Sequence, residues 1–240
     1  MRLNCQYTEL MYQGSVFIFY SLRRHRRKLG WQKNRNEPKM AERTYMKKTK
    51  IKMLTESAIM LALAFALSSA KLFEMPIGGS VTVASMLPIM LIAFKYGNAW
   101  GLGTAFLYSV TQALQALAAG NVFPYCEGID TLLICVVFDY IFPFTILGLA
   151  GAFYGRFKNT NVDFIVGASF VVLLRFCSHF ITGVYIWDQW APEGMGKYLY
   201  SFLYNGGFLG VDFAILMVVL VLMLKSEEIK KLIERIPSSK

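Results

Sequence analysis

Hydrophobic residues in this chain occur in six long runs that are separated by short polar breaks. A run of about 20 apolar residues is long enough to span the hydrocarbon core of a bilayer as a helix. The pattern therefore predicts an all-α integral membrane protein, folded as a bundle of six transmembrane helices. The predicted spans are residues 53–70, 81–96, 99–119, 131–154, 163–187 and 198–224.

The composition points to the same class of protein. Of the 240 residues, 55% are hydrophobic, and the mean hydropathy is +0.44. A soluble domain is typically about 45–50% apolar. We therefore predict one membrane domain, residues 46–225, followed by a charged cytoplasmic tail at residues 226–240 that contains a short amphipathic helix.

The net charge of +10 is concentrated at the N-terminus. Residues 1–52 hold 14 Lys and Arg against three acidic side chains, whereas the rest of the chain holds 11 basic and 12 acidic ones. Basic residues next to a first membrane helix typically fix its orientation, and this interpretation is favoured over nucleic-acid binding. Residues 1–45 are interpreted as a basic leader, either disordered or a mis-assigned extension ahead of a start at Met40 or Met46.

The loops between the predicted spans alternate in charge. The leader, the turns at Lys95 and Arg156 and the tail are basic. The intervening loops, at residues 71–80, 120–130 and 188–197, together hold two lysines against five acidic side chains. By the positive-inside rule, both termini are predicted to be cytoplasmic and these three loops to face outward.

Two acidic residues lie within predicted spans. A carboxylate inside a span costs on the order of 3 kcal/mol to insert, so it rarely lacks a role. Asp139 is predicted either to face a cationic ligand or to pair with another buried polar group such as Arg175. Asp212, in the sixth span, is interpreted as structural or interfacial.

A group of polar and aromatic residues lies around the fifth and sixth spans. His179 precedes Trp187 by eight residues, which places both on roughly one helix face, and Tyr200 and Asn205 open the next span. Around a carboxylate, these side chains would form a pocket suited to a flat heteroaromatic cation. Outer aromatic residues are also typical of the membrane-interface belt, an alternative that does not account for His179 or Asn205.

Two further patterns concern packing and chemistry. Ala58, Ala62 and Ala66 form a small-residue ridge on the first span, which would let another helix approach closely or serve ordinary internal packing. The chain contains no GxxxxGK[ST], HExxH or GxSxG motif. Its four cysteines have no metal-type spacing and are interpreted as small apolar residues.

From residue 52 to residue 224, the sequence resembles the thiamine-specific substrate-binding (S) subunits of energy-coupling factor transporters. The most specific segment is Arg175-Phe-x-x-His-Phe-x-x-Gly-x-x-x-Trp, followed by Ala-Pro-Glu-Gly-Met and Tyr-Ser-x-x-Tyr-Asn-Gly. Asp139 and Tyr140 stand where the family has an acidic residue followed by Tyr; that residue is Glu in the family, so Asp139 has a shorter side chain.

The resemblance implies a binding site that opens to the outside. Trp187 would stack on thiamine, and Asp139 would supply a carboxylate. Phe73 would replace a tryptophan of the family's first outer loop. The side chains implied for the site are Asp139, Tyr140, His179, Trp187, Tyr200 and Asn205, together with Phe73 and, as a weaker candidate, Tyr125.

The resemblance also implies a function: high-affinity thiamine binding, without catalysis, in the bacterial cytoplasmic membrane. The ridge Ala58, Ala62 and Ala66 would dock on a membrane-embedded coupling subunit, and two ATPase subunits would complete the importer. No cofactor or metal is expected, since thiamine is the cargo and ATP is used by the partners. The alternatives are an S subunit for a thiamine precursor or another vitamin, an intramembrane enzyme using His179 and Asp139 as acid and base, and a structural membrane protein.

Overall fold

The computed structural model describes residues 47–76, 78–120 and 122–233, and this part of the chain is mainly helical. The predicted leader, with both candidate start sites, lies outside the described residues, as does the end of the tail. The helices of the described part are α1 (Lys47–Ser69), α2 (Leu87–Tyr96), α3 (Asn98–Ala119), α4 (Gly128–Phe153), α5 (Thr160–Tyr185), α6 (Lys197–Leu224) and α7 (Glu227–Ile233).

Four of the described helices, α1, α4, α5 and α6, are long and apolar enough to cross a membrane. Helix α3 has 22 residues and would rise about 33 Å, but polar side chains, including Gln112 and Gln115, interrupt its apolar surface. Helix α2 has only ten residues and would rise about 15 Å, half the thickness of the hydrocarbon core. The span predicted at 81–96 is therefore only partly helical.

A β-hairpin precedes α2, which corrects the all-α prediction. Strand β1 (Lys71–Glu74) pairs antiparallel with β2 (Ser80–Thr82). Between the strands, Gly78 and Gly79 have φ angles of +91° and +87°, a conformation that glycine adopts without the steric cost that a Cβ would bring. The polar break after the first predicted span thus contains two paired strands.

Glycine residues allow α2, α3 and α4 to pack closely at the end of the bundle away from the hairpin. A Cβ added at Gly148 would lie 2.4 Å from the backbone nitrogen of Leu102, and one at Gly151 would lie 2.5 Å from the carbonyl oxygen of Ala93. Small residues are favoured where membrane helices approach closely, because helix association in lipid depends on van der Waals packing. This contact anchors the scaffold beneath the cavity described below.

Helix α1 is attached to α3 by side-chain hydrogen bonds. Trp100 Nε1 donates to Ser57 Oγ at 2.9 Å, and Gln112 Nε2 donates to Ser68 Oγ at 2.9 Å. Ala64 is fully buried on the same face of α1. The opposite face of α1 is exposed.

The charged tail begins with the short helix α7. Its polar side carries a 2.6 Å ion pair between Lys230 and Glu227, while Ile229 and Ile233 pack against the apolar core. The helix is therefore amphipathic, as the sequence predicts.

Candidate ligand-binding site

A cavity lies at the end of the bundle that carries the β-hairpin and the α3–α4 and α5–α6 loops, which we call the hairpin end. Side chains of the hairpin, α3, α4, α5 and α6 line it. Six of the eight residues predicted for the binding site are brought together in this lining: Asp139, Tyr140, His179, Trp187, Tyr200 and Asn205.

Asp139 reaches the cavity from a π-helical turn, Val136–Ile141, inside α4. The backbone N–H of Phe142 donates to the carbonyl of Val137, five residues earlier. Pro143 explains the wider turn, because proline cannot donate to the carbonyl four residues before it and its ring crowds that carbonyl. The nearby carbonyl of Phe138 accepts a 2.6 Å hydrogen bond from Ser178 of α5.

The carboxylate of Asp139 is the centre of a buried polar network. Its Oδ2 accepts a 3.0 Å hydrogen bond from the indole Nε1 of Trp187. Its Oδ1 accepts from the hydroxyl of Thr182 and lies 3.2 Å from Nδ1 of His179. The carboxylate is thus fixed by three side chains of α5 and the turn that follows α5, and it lies at the wall of the cavity.

Arg175 also lines the cavity, but it is not bonded to Asp139. Its Nη1 lies 2.7 Å from the sulfur of Met86, and its guanidinium lies 4.3 Å from the centroid of the Phe144 ring. Its Nε lies 3.4 Å from Nε2 of His179. Arg175 is therefore not the partner of Asp139, and the polar groups that Asp139 contacts instead are those of His179, Thr182 and Trp187.

Another part of the lining is formed where α5 meets α6. A Cβ added at Gly183 would lie 2.2 Å from Ser201 Oγ, so glycine is required for this close approach. The Nδ2 atom of Asn205 donates to the carbonyl of His179 at 3.1 Å and to the carbonyl of Ser201 at 3.0 Å. These bonds fix Asn205 and the backbone of His179 relative to each other, and Tyr200 is buried one turn earlier on α6.

Sequence reasoning missed four polar side chains of the cavity lining, which come from the hairpin and from α3. The irregular register of β1 brings Lys71 and Glu74 to the cavity, where they form a 2.5 Å ion pair. Helix α3 contributes Gln112 and Gln115, whose side chains are also bonded to the end of α1. The two glutamines could have been predicted from the sequence, because amide side chains are unusual in an otherwise apolar helix. Lys71 and Glu74 could not, because the sequence does not reveal the irregular register of β1.

Phe73 and Tyr125 do not line the cavity. Phe73 is 59% exposed, because the side chains of β1 that turn to the cavity are Lys71 and Glu74. Tyr125 is 39% exposed and packs edge-on against Trp190, with ring centroids 5.7 Å apart. Their predicted contacts with a ligand therefore stay predictions.

The chemistry of the lining is that of a binding site for an organic molecule. Within residues 47–76, 78–120 and 122–233, no group of three or more His, Cys, Asp or Glu side chains could hold a metal ion. Next to Arg175, the cavity brings together the carboxylate of Asp139, the indole of Trp187, the imidazole of His179 and the amide of Asn205, and these four groups can bind a flat cation that carries polar ring substituents.

Comparisons with known proteins agree with this chemistry. A family model described as thiamine transporter protein matches residues 54–232. The thiamine transporter ThiT of Bacillus subtilis (strain 168) is 34% identical over 181 residues, which cover 71% of this chain and 88% of that protein.

Two solved structures have the same fold. ThiT from Listeria monocytogenes matches with a TM-score of 0.58 and 21% identity, over 75% of this chain and 98% of its own. A structure described as the S component of a bacterial ECF transporter matches with a TM-score of 0.51 and 17% identity, over 78% and 99%.

Proposed function

Because this chain belongs to the thiamine transporter protein family, we propose that it binds thiamine and delivers it for import as the S subunit of an energy-coupling factor transporter. It is a multi-pass protein of the bacterial plasma membrane, and its relatives are transporters, not enzymes. The observation that carries the proposal is the hydrogen bond between the Asp139 carboxylate and the Trp187 indole inside one cavity.

The side chains of the cavity match the two rings of thiamine. Its thiazolium ring is permanently positive, and the carboxylate of Asp139 balances that charge. The indole of Trp187 provides a flat face, and a desolvated cation–π contact contributes up to about 2 kcal/mol. His179, Tyr200 and Asn205 contact the ring edges, with Tyr140 beside Asp139.

The proposed topology has six membrane helices and two cytoplasmic termini. Helix α3 crosses with its amides covered by α1, and the hairpin together with α2 completes the second crossing. The alternating charge of the loops supports this orientation, because the basic turns and the tail lie opposite the hairpin end. The cavity then opens to the outside, where thiamine is captured.

The proposed docking surface for the coupling subunit is the exposed face of α1. Ala58, Ala62 and Ala66 are exposed along it, whereas Ala64 is buried against the bundle. A ridge of small residues offers a partner helix a surface for close approach. Two ATPase subunits would supply the energy, so this chain needs no cofactor.

Titration of the purified protein with thiamine tests the proposed function. Because Trp187 lies in the cavity, thiamine is expected to quench the intrinsic tryptophan fluorescence in a saturable way. The isolated pyrimidine moiety is expected to bind more weakly, because it lacks the positive ring, and riboflavin is not expected to bind. Riboflavin binding with no response to thiamine would contradict the proposal.

A bulky residue on the α1 ridge is expected to prevent transport without affecting thiamine binding. The Ala62→Trp variant should bind thiamine as the parent does, but it should fail to co-purify with the coupling subunit and should lose uptake in cells. Val218→Trp is the matched control, because Val218 is 60% exposed on α6 and therefore lies outside the ridge. Equal loss of assembly in both variants would contradict the assignment of the ridge.

A further inference from the structure

Two cysteines meet beside the ligand cavity. Cys126 lies in the α3–α4 loop and Cys135 in α4, and their Sγ atoms are 3.1 Å apart. Both are free thiols. A disulfide bond is about 2.05 Å long, so a movement of about 1 Å would bring the sulfurs to bonding distance. Cys135 is fully buried and precedes Asp139 by one helical turn, which places this pair next to the carboxylate of the site.

The α3–α4 loop connects the other parts that cover the cavity. Val122 lines the cavity and lies so close to the hairpin turn that a Cβ at Gly78 would be 2.5 Å from its Cγ2. Phe123 packs on Tyr140 with ring centroids 5.2 Å apart. Tyr125, at the other end of this loop segment, contacts the turn that follows α5. A restraint on this loop therefore acts on its contacts with the hairpin turn, with Tyr140 of the cavity lining and with the turn that follows α5.

We propose that Cys126 and Cys135 form a disulfide bond that fixes the α3–α4 loop over the ligand cavity and slows ligand exchange. The inference rests on the proposed orientation, because the outer side of a bacterial membrane is where disulfides persist. With a small-molecule disulfide as oxidant, one cysteine thiolate attacks it to give a mixed disulfide and one free thiol. The second cysteine thiolate then attacks the mixed disulfide, the protein disulfide forms, and a second small thiol leaves.

Mass spectrometry of the full-length purified protein tests the bond itself. After treatment with oxidised glutathione and alkylation of the remaining thiols, a cross-linked peptide pair containing Cys126 and Cys135 is expected, and dithiothreitol should remove it. Cys177→Ser is the matched control, because Cys177 is exposed and belongs to α5 rather than to the loop or α4, and this variant should form the same cross-link. Alkylation of both Cys126 and Cys135 after oxidation, or a cross-link to another cysteine, would overturn the proposal.

Two measurements then test the effect on the loop, and only one depends on thiamine. Hydrogen exchange of residues 122–126 is expected to be slower in the oxidised protein than in the reduced protein, and Cys126→Ser should show no such difference. Release of bound thiamine should also be several-fold slower after oxidation in the parent only. If the bond forms but hydrogen exchange does not change, the proposed restraint is wrong, whether or not the protein binds thiamine.

Discussion

Asp139→Asn is expected to abolish high-affinity thiamine binding while the protein remains folded. Removal of one partner of a buried, hydrogen-bonded charge pair costs about 2–5 kcal/mol, which corresponds to a Kd about 30- to 4,000-fold higher. The fold should survive because asparagine has nearly the same shape. Its carbonyl, in the place of Oδ2, can still accept the hydrogen bond from Trp187. Its amide nitrogen, in the place of Oδ1, can then donate to Nδ1 of His179 and to the hydroxyl of Thr182. Isothermal titration calorimetry in detergent measures the change.

Two further variants test whether the loss of affinity is due to the negative charge at the cavity. Asp163→Asn is the matched control, because Asp163 is also buried but accepts hydrogen bonds from the backbone N–H groups of Gly155 and Phe157, outside the cavity lining. This substitution should leave the affinity of the folded protein unchanged, so its Kd should equal that of the parent. Asp139→Glu keeps the charge and should bind far better than Asp139→Asn. Parent-like affinity of Asp139→Asn would contradict the proposed site.

Much of the fold could be predicted because hydrophobic runs report membrane helices directly. The runs that became α4, α5 and α6 were located to within a few residues, and the resemblance to thiamine-specific S subunits is confirmed by the family match. The hairpin was missed because its strands have only three or four residues, too few for an alternating pattern to stand out. The span that contains α2 was predicted too long because Val81, Val83 and Ala84 extend the apolar run ahead of Leu87, where the helix begins.

Site residues could be predicted where several of them lie on one regular helix. They were harder to predict where an irregular turn or a loop positions the side chain. His179 and Trp187 were paired by helical spacing, although α5 ends before Trp187, which opens a separate 3₁₀ turn. Thr182, three residues after His179, could have been found by the same spacing. In the sequence, only Pro143 indicates the π turn that presents Asp139. The contact between Cys126 and Cys135 could be recognised only in the folded structure, because one lies in a loop and the other in a helix.

Trp187→Ala is expected to raise the Kd for thiamine by about 30- to 700-fold, which corresponds to a loss of about 2–4 kcal/mol for truncating a central aromatic residue of a binding site. The variant loses the flat face that stacks on the ligand and also the indole N–H that holds Oδ2 of Asp139. Trp187→Phe separates these contributions, because it keeps a ring but removes the hydrogen bond, and its Kd should lie between those of the parent and Trp187→Ala.

Trp190→Ala is the matched control, because Trp190 belongs to the same 3₁₀ turn but is 44% exposed and does not line the cavity. If Trp190 only packs against Tyr125 at the surface, its removal should leave the affinity for thiamine nearly unchanged. Calorimetry is the suitable measurement, because both substitutions alter the tryptophan fluorescence itself. Equal effects of the two substitutions would mean that aromatic residues at this end of the bundle act as general membrane anchors, and the cavity would then have no special need for an indole at position 187.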